Sequence, residues 1–410
     1  MDKAIIFLDT NKSGSSREAI KAAKRLGYFV ILFTRRKKFL KQRKEFSDID
    51  EILIVNLTNV EKIRELVVEK INEGLDIHCI TSFIDPYVYV ASQLCTEFCE
   101  ANPISLDAVK AMEDKMITRR LLRKKKYTPL FIELNENDAL DDWIEIYNQE
   151  LPLIIKSPKS TGSKDVVLVN NKKELKQGIR SLRKNYPNQP VLIEEYIIGP
   201  QYLVEVIVHK GEIHIVAVIE QEITIGERFI ITGYSISSEI EPSIFDGLVK
   251  TVKQVVMDFK MKNGACHLEL RRVNEDWKLI ETNPRISGGA MNRMIEEAYG
   301  INLVEQTLRL YLGEAPNLTK AFEKCIYTHY IIVHSVGKLL KVTGKNRAKK
   351  HDGVLDVFIK PRKGQLLLPP RSMGHRYGYV MSEGNTKREA KAIAIHAASQ
   401  IRFYLQALDE

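Results

Sequence analysis

The first hundred residues alternate between short apolar runs and amphipathic stretches. AIIFLD (residues 4–9), YFVILFT (28–34), EILIVN (51–56) and IHCITSF (77–83) predict strands. Between them, SGSSREAIKAAKRLG (13–27) and NVEKIRELVVEKINEG (59–74) predict helices. In the second, Val60, Ile63, Val67 and Ile71 recur at helical spacing, and the two stretches end on Gly27 and Gly74. Strands alternating with helices predict a parallel α/β unit. Its first turn holds Gly14 and not a G-x-G-x-x-G run, so the pattern argues only weakly for a dinucleotide there.

The rhythm then changes. NPISLDAVKAMEDKMITRRLLRKK (102–125) predicts a turn and one long helix, and LPLIIKS (151–157) a strand followed by a polar loop. VLIEEYIIGPQYLVEVIVHKGEIHIVAVI (191–219) predicts a strand, a link and a strand pair turning at Lys210-Gly211. Past residue 316, strand-like pieces at 327–336, 353–359 and 378–383 are separated by basic loops. A final helix opens with a capping box, Thr386 and Glu389. There is no internal repeat and no long low-complexity tract.

Composition narrows the class. At 410 residues the chain is long enough for two to four domains, with 44% apolar and 28% charged residues, an ordinary globular balance. No apolar run approaches the roughly 18 residues of a membrane span, and the start of the chain reads as a first strand, not a signal peptide. Cys79, Cys95, Cys99, Cys266 and Cys325 include one i,i+4 pair, Cys95 and Cys99, but no second pair to complete a zinc set. Reduced structural cysteines in a cytoplasmic protein are expected. The net charge of +9 concentrates in residues 35–44 and 119–126. Phe39 is the only aromatic residue in either run and no RNA-binding motif accompanies them, which favours a solvated face or attraction of an anionic ligand over nucleic-acid binding.

The most informative chemistry lies in ACHLELRRVNEDWKLIETNPR (265–285). A turn centred on Glu275 pairs residues whose numbers sum to 550, so Glu269 faces Glu281 and His267 faces Asn283. Directly opposed side chains have Cβ atoms about 5 Å apart, and like charges there repel. Such a pair can stay exposed, share a proton or bind a cation. Asn283 adds a neutral oxygen to the same expected face, which favours a metal over a proton dyad. Arg285 follows at the next alternate position, suited to phosphate or a developing oxyanion. Ser287-Gly288-Gly289 then lets backbone approach a ligand closely. The bland alternative is an exposed hairpin with surface charges.

Other segments supply parts of a phosphate site. Lys156 closes an apolar strand ahead of SPKSTGSKD (157–165), whose hydroxyls and Gly162 can form a flap. Glu194-Glu195-Tyr196 followed by Gly199-Pro200 reads either as an exposed strand end or as a hinge that hydrogen-bonds a flat base. Lys115 is unremarkable alone.

Taken in order, these segments resemble the ATP-grasp superfamily of carboxylate–amine ligases. The carrying residues are Asp114-Lys115, Lys156 with its flap, Glu194-Glu195-Tyr196-Ile197 with Gly199, His267-x-Glu269, and Glu281-x-Asn283-x-Arg285 with Gly288. The resemblance implies an ATP-grasp fold, mixed α/β and α+β. Its parts are an N-terminal parallel α/β (Rossmann-like) domain (1–105), a linker helix and central lid (106–192), a catalytic core (193–315) and a C-terminal α+β portion (316–410). It implies ATP and two Mg2+ ions, or Mn2+. Lys115, Lys156 and Ser163 would serve the phosphates. Glu194 and the backbone of Glu195 and Ile197 would hold adenine. Glu269, Glu281 and Asn283 would bind the metals, and Arg285 and the Gly288 amide would stabilise developing charge. Gln201 stands where many members carry a glutamate that contacts ribose, and the flap is poorer in glycine than is usual.

Residues 280–314 are similar to the L-amino-acid ligase subgroup, and within it to arginine-selective ligases of rhizocticin-type antibiotic biosynthesis. This implies two L-amino acids as substrates, with arginine on the N-terminal side, and no nucleic-acid or membrane partner. Homodimers are common in the superfamily. Asp85, at the end of a parallel strand, is expected to contact substrate, as is His267. Asp356, between Val354 and Phe358, is either solvated or a pocket acid for a guanidinium.

Overall fold

The computed structural model describes residues 2–100, 104–136, 138, 151–158, 165–225, 229–370 and 372–408. Strands β1 (Lys3–Leu8), β2 (Phe29–Thr34), β3 (Glu51–Ile54) and β4 (Asp76–Thr81) form a parallel sheet in the order β3-β2-β1-β4. Helices α1 (Ser15–Arg25) and α2 (Val60–Asn72) form where the apolar periodicity predicts them, and α3 (Val88–Phe98), which the pattern does not single out, completes this unit.

The expected long helix is two: α4 (Leu106–Glu113) and α5 (Lys115–Leu122). Asp114 breaks them in an extended conformation, and its carboxylate accepts from the N–H groups of Met116 and Ile117. An aspartate that caps a new helix competes with continuing the old one. The break puts Lys115 on the first turn of α5.

A lid follows. Strands β5 (Phe131–Leu134), β6 (Leu153–Lys156), β7 (Val166–Val169) and β8 (Val191–Glu195) form an antiparallel sheet, β5-β8-β6-β7, under α6 (Lys172–Asn185). Leu175, Ile179 and Leu182 of α6 pack with Leu153, Ile155, Val191 and Ile193 in a separate small core. The expected boundary at 192–193 falls inside β8, whose pairing with β5 and β6 puts it in the lid sheet.

The central sheet contains β9 (Gln201–His209), β10 (Glu212–Ile225), β11 (Phe229–Ile236), β12 (Gly264–Val273), β13 (Asp276–Asn283) and β14 (Cys325–Ile331). Helices α7 (Pro242–Asp258), α8 (Met291–Tyr299) and α9 (Leu303–Tyr311) accompany them. The C-terminal strands are β15 (Gly337–Thr343), β16 (Val354–Ile359), β17 (Leu366–Leu367), β18 (Gly378–Gly384) and β19 (Arg402–Gln406), with α10 (Lys387–Ser399) capped by Thr386 as expected. The eight-stranded order β13-β12-β9-β10-β11-β14-β18-β16 carries the core sheet into the C-terminal portion. Strands β17-β15-β19 form a small side sheet.

The two faces of the central sheet differ. Tyr202, Val204, Val206, Val208, Cys266, Leu268 and Leu270 face one apolar core with Leu248, Val252 and Val255 of α7. Alternate residues, including Leu203, Ile207 and Ala265, face the core shared with the N-terminal sheet. Polar interruptions of that second row, Glu205, His267 and Glu269, begin the site.

Candidate active site

The hairpin pairs Glu269 with Glu281 and His267 with Asn283. The route differs from simple alternation about Glu275. The turn is the two residues Asn274-Glu275, with Asn274 at φ 55°, so pairs near it, such as Leu270 with Leu279, sum to 549. A bulge at Ile280 adds one residue and restores 550 at the glutamates. A one-residue shift also exchanges faces, so Leu279 enters the apolar core while Glu281 turns to the site. The carbonyl of Ile280 accepts from Arg119 Nη2 at 2.8 Å.

Glu269 and Glu281 are each about a quarter exposed, at 25% and 23%, and each has one oxygen pinned. Glu269 Oε2 accepts from Gln201 Nε2 at 2.7 Å, and Glu281 Oε1 lies 3.1 Å from Lys115 Nζ. The amide oxygen of Gln201 accepts from Arg271 Nε at 2.8 Å. Both ends of Gln201, expected at ribose, are engaged within the protein, where it orients a carboxylate.

Beneath Lys115 lies a buried charge cluster. Glu194 is held between Arg119 Nε at 2.6 Å and Lys156 Nζ at 2.7 Å. Burial opposes ionisation of Glu194, but the two cations outweigh it and hold its pKa at about 2. Lys156 is pulled below the ordinary lysine value by its burial and by the neighbouring Arg119 and Lys115, against the pull of Glu194. Three cations (Lys115, Lys156, Arg119) meet two carboxylates (Glu194, Glu281), one positive charge in excess. Such an excess suits an anionic ligand. Glu194, expected at adenine, is the buried counter-ion of this cluster.

The hinge beyond β8 is close against β12. Gly199 has φ 154°, and a Cβ there would stand 1.9 Å from the Arg272 carbonyl oxygen. The Ile197 carbonyl accepts from Arg271 Nη1. Glu195 turns away from Glu194: its Oε1 accepts from the Leu130 N–H at 2.8 Å, while its own N–H donates to the Leu130 carbonyl at 3.0 Å. Ser163 and most of the expected flap lie outside the described residues.

Arg285 lies beyond the end of β13, so strand alternation does not set its direction. Its Nε donates to Asp85 Oδ1 at 3.0 Å and Nη2 donates to Asp85 Oδ2, a two-pronged pair joining the N-terminal unit to the core. Asp85 is thus at the site, engaged by Arg285. Glu113, at the end of α4, lies beside this pair, and burial followed by the Asp85 charge pushes its pKa up to about 7.

His267 is 4% exposed between two carboxylates. Its Nδ1 lies 2.7 Å from Glu205 Oε1 and its Nε2 3.7 Å from Glu269 Oε1. Burial disfavours the charged ring, but Glu205 and Glu269 raise its pKa to about 10. The other oxygen of the fully buried Glu205 accepts from the Ser287 N–H at 3.2 Å. His267, expected at substrate, is buried as a strut between Glu269 and the glycine loop. A Cβ at Gly288 would meet nothing within 4 Å, and one at Gly14 would stand 3.4 Å from the Gly289 nitrogen.

Asp356 accepts from the Tyr379 hydroxyl at 2.8 Å. A register shift between Val354 and Asp356 breaks the alternation on which their common face was expected. Sequence reasoning missed Arg119, Glu205, Arg271 and Glu113. Arg119 sits within the basic run 119–126, where Arg120 and Arg123 pair with Glu133 and Lys125 with Asp258.

Among the described residues no group of three or more His, Cys, Asp or Glu side chains is placed to hold a metal. The donor set still fits Mg2+, which commonly takes one or two carboxylates and completes its shell with water and substrate phosphates. Glu269 and Glu281 are each partly exposed, at 25% and 23%, so both carboxylates remain accessible from the site. No helix among the described residues is long and apolar enough to cross a membrane.

Three family models match: an ATP-grasp N-terminal domain over residues 20–98, an ATP-grasp domain over 149–293, and an L-amino acid ligase C-terminal domain 2 over 329–406. The chain has the ATP-grasp fold and the domain architecture of an ATP-dependent ligase. It is 23% identical over 224 residues to an L-arginine-specific L-amino acid ligase from Bacillus subtilis, covering 53% of this chain and 54% of that one. It is 23% identical over 278 residues to dapdiamide A synthase from Enterobacter agglomerans, covering 64% of each. In fold it is similar to an L-amino acid ligase from Bacillus licheniformis, with a TM-score of 0.82, 20% identity and 99% of both chains covered.

Proposed function

We propose that the protein joins two L-amino acids into a dipeptide, with ATP converted to ADP and phosphate. The observation that carries this reading is the facing pair Glu269 and Glu281 beside Lys115, with Arg285 at the same end of the hairpin. The match of residues 329–406 to a domain of L-amino acid ligases supports amino acids as substrates.

The carboxylate of the first amino acid attacks the γ-phosphorus of ATP, forming an acyl phosphate and releasing ADP. The amine of the second attacks the acyl carbon. A C–N bond forms, the C–O bond to phosphate breaks, and the ammonium gives up its proton. Lys115 and Lys156 attract the phosphates, and Arg119 holds Glu194 and the Ile280 carbonyl in place beneath them. Glu269 and Glu281 would hold Mg2+, with Asn283 beside them, and the ion would supply neutralisation of phosphate charge. Arg285, oriented by Asp85, faces developing charge on the acyl oxygen, with the Gly288 N–H as a second donor. Glu205 and His267 keep the glycine loop in register with Glu269.

The proposal extends to arginine on the N-terminal side, supported by the likeness to an L-arginine-specific ligase, with Asp356, held by the Tyr379 hydroxyl, as the acid proposed for its guanidinium. A screen of amino-acid pairs for ADP release tests it, with hydroxylamine trapping of the activated acid as a hydroxamate. Release with arginine and a second amino acid is expected. Turnover only with other carboxylates would replace the substrate assignment.

A further inference from the structure

Arg376 precedes β18 in the portion matched to the L-amino acid ligase C-terminal domain. Its guanidinium carbon stands 3.8 Å from the centroid of the Tyr330 ring and 5.9 Å from that of Tyr234. Tyr234, Tyr330 and Tyr379 belong to the neighbouring strands β11, β14 and β18. Their rings meet edge to face, with centroids 5.7 and 6.0 Å apart. Nε and Nη1 of Arg376 are shielded from solvent and have no hydrogen-bond partner among the described residues.

A cation so placed lacks something. An aromatic face offsets part of the cost of desolvating a guanidinium, but it supplies no acceptor for in-plane N–H groups. Buried polar groups without partners are rare, and an unfilled ligand position is one recognised cause. A carboxylate oxygen accepts from a guanidinium N–H more strongly than any neutral ligand does.

The position ties this cation to the reaction centre. The Tyr330 hydroxyl lies 3.8 Å from where a Cβ on Gly289 would stand, four residues beyond Arg285. Tyr379 donates to Asp356. The guanidinium therefore stacks on a ring whose hydroxyl reaches the glycine loop.

We propose that Arg376 binds the α-carboxylate of the amino acid that supplies the amine. The inference rests on the ligase reading above. The two substrate carboxylates have different fates. The first is consumed as it becomes an acyl phosphate, and Arg285 attends it. The second persists through the reaction as an anion and needs a cation of its own. Arg376 supplies that cation and makes a free α-carboxylate a requirement for the amine substrate.

The test measures binding to the full chain with Mg2+ and a non-hydrolysable ATP analogue. Each standard amino acid is compared with its α-amide by calorimetry, in wild type, Arg376→Met and Arg376→Lys. At least one amino acid should bind wild type about tenfold or more tightly than its amide, and Arg376→Met should abolish that preference. Arg376→Lys should keep part of it, since charge remains without the fork. Arg376→Met should also melt no lower than wild type in the absence of amino acids, because it removes a cation with two shielded N–H groups that have no partner among the described residues. Dipeptide formation should fall at least about tenfold more than hydroxamate formation with hydroxylamine as the amine. A preference for the free acid that survives Arg376→Met, or no amino acid binding to wild type, would overturn the proposal. Arg376-dependent binding without hydroxamate from any acid would retain the carboxylate site and remove the ligase reading.

Discussion

Arg119 Nε donates to Glu194 Oε1 at 2.6 Å, and the two side chains are 2% and 5% exposed. They come from α5 and β8 and tie the linker helix to the lid. Lys156 completes the arrangement on the other oxygen. Removing Arg119 leaves Glu194 with Lys156 alone and the Ile280 carbonyl without its donor, a loss of two charge-assisted hydrogen bonds that costs about 3 kcal/mol. Arg119→Met is expected to lower stability by about that amount, read by denaturant unfolding. A loss comparable to that at a surface arginine, under about 1 kcal/mol, would show that the pair is not held as described.

The same carboxylate sets an acid dependence. The pKa of Glu194 is held at about 2, below its ordinary value of 4.5, against burial and by Arg119 and Lys156. A depressed carboxylate contributes stability that is present above the ordinary value and lost as pH falls through the folded one. Between pH 4.5 and 2 the wild type should therefore lose stability more steeply than Glu194→Gln. Parallel curves in that window would contradict the assignment.

Glu113 carries the opposite sign. Burial, then Asp85, raises its pKa to about 7. A raised acid contributes stability that is complete below its ordinary value of 4.5 and lost as pH rises through about 7. Glu113→Gln mimics the protonated form. The melting temperature of wild type should fall relative to this variant between pH 5 and 8, and a constant difference would sink the prediction.

Asp85 separates two roles. As the orienting partner of Arg285, it should act on the rate of acyl transfer. Asp85→Asn is expected to lower kcat by about tenfold or more while leaving KM for ATP within about threefold. An effect confined to KM for an amino acid would make Asp85 a substrate contact instead.

Gln201 holds Glu269 at 2.7 Å and is itself held by Arg271. Partners that orient a metal-binding carboxylate typically change metal affinity by about 10–100-fold when removed. Gln201→Ala should raise the Mg2+ concentration for half-maximal ADP release by about tenfold. An unchanged Mg2+ dependence with a raised KM for ATP would return Gln201 to the ribose.

Much of this site could be read along the chain because its parts are local. The parallel α/β unit follows from apolar periodicity, and the Glu269–Glu281 pairing from one hairpin. Even there, the correct pairing arises from a two-residue turn and a compensating bulge at Ile280, neither of which leaves a mark in the residue pattern. The break at Asp114 was hidden because an aspartate inside a helical pattern looks the same as one that caps a new helix. Arg119 was hidden by company, being one of six basic residues in eight. Glu205 and Arg376 depend on partners 62 and 46 positions away, His267 and Tyr330, which only the order of strands in the central sheet brings together.

The most direct measurement of the central claim is ADP release by the wild-type chain with Mg2+, ATP and pairs of L-amino acids, with hydroxylamine trapping in parallel. ADP release that requires an amino acid, an amino-acid hydroxamate, and loss of both in Glu281→Gln are the results predicted. ADP release independent of any amino acid, or no release with any pair, would contradict the account.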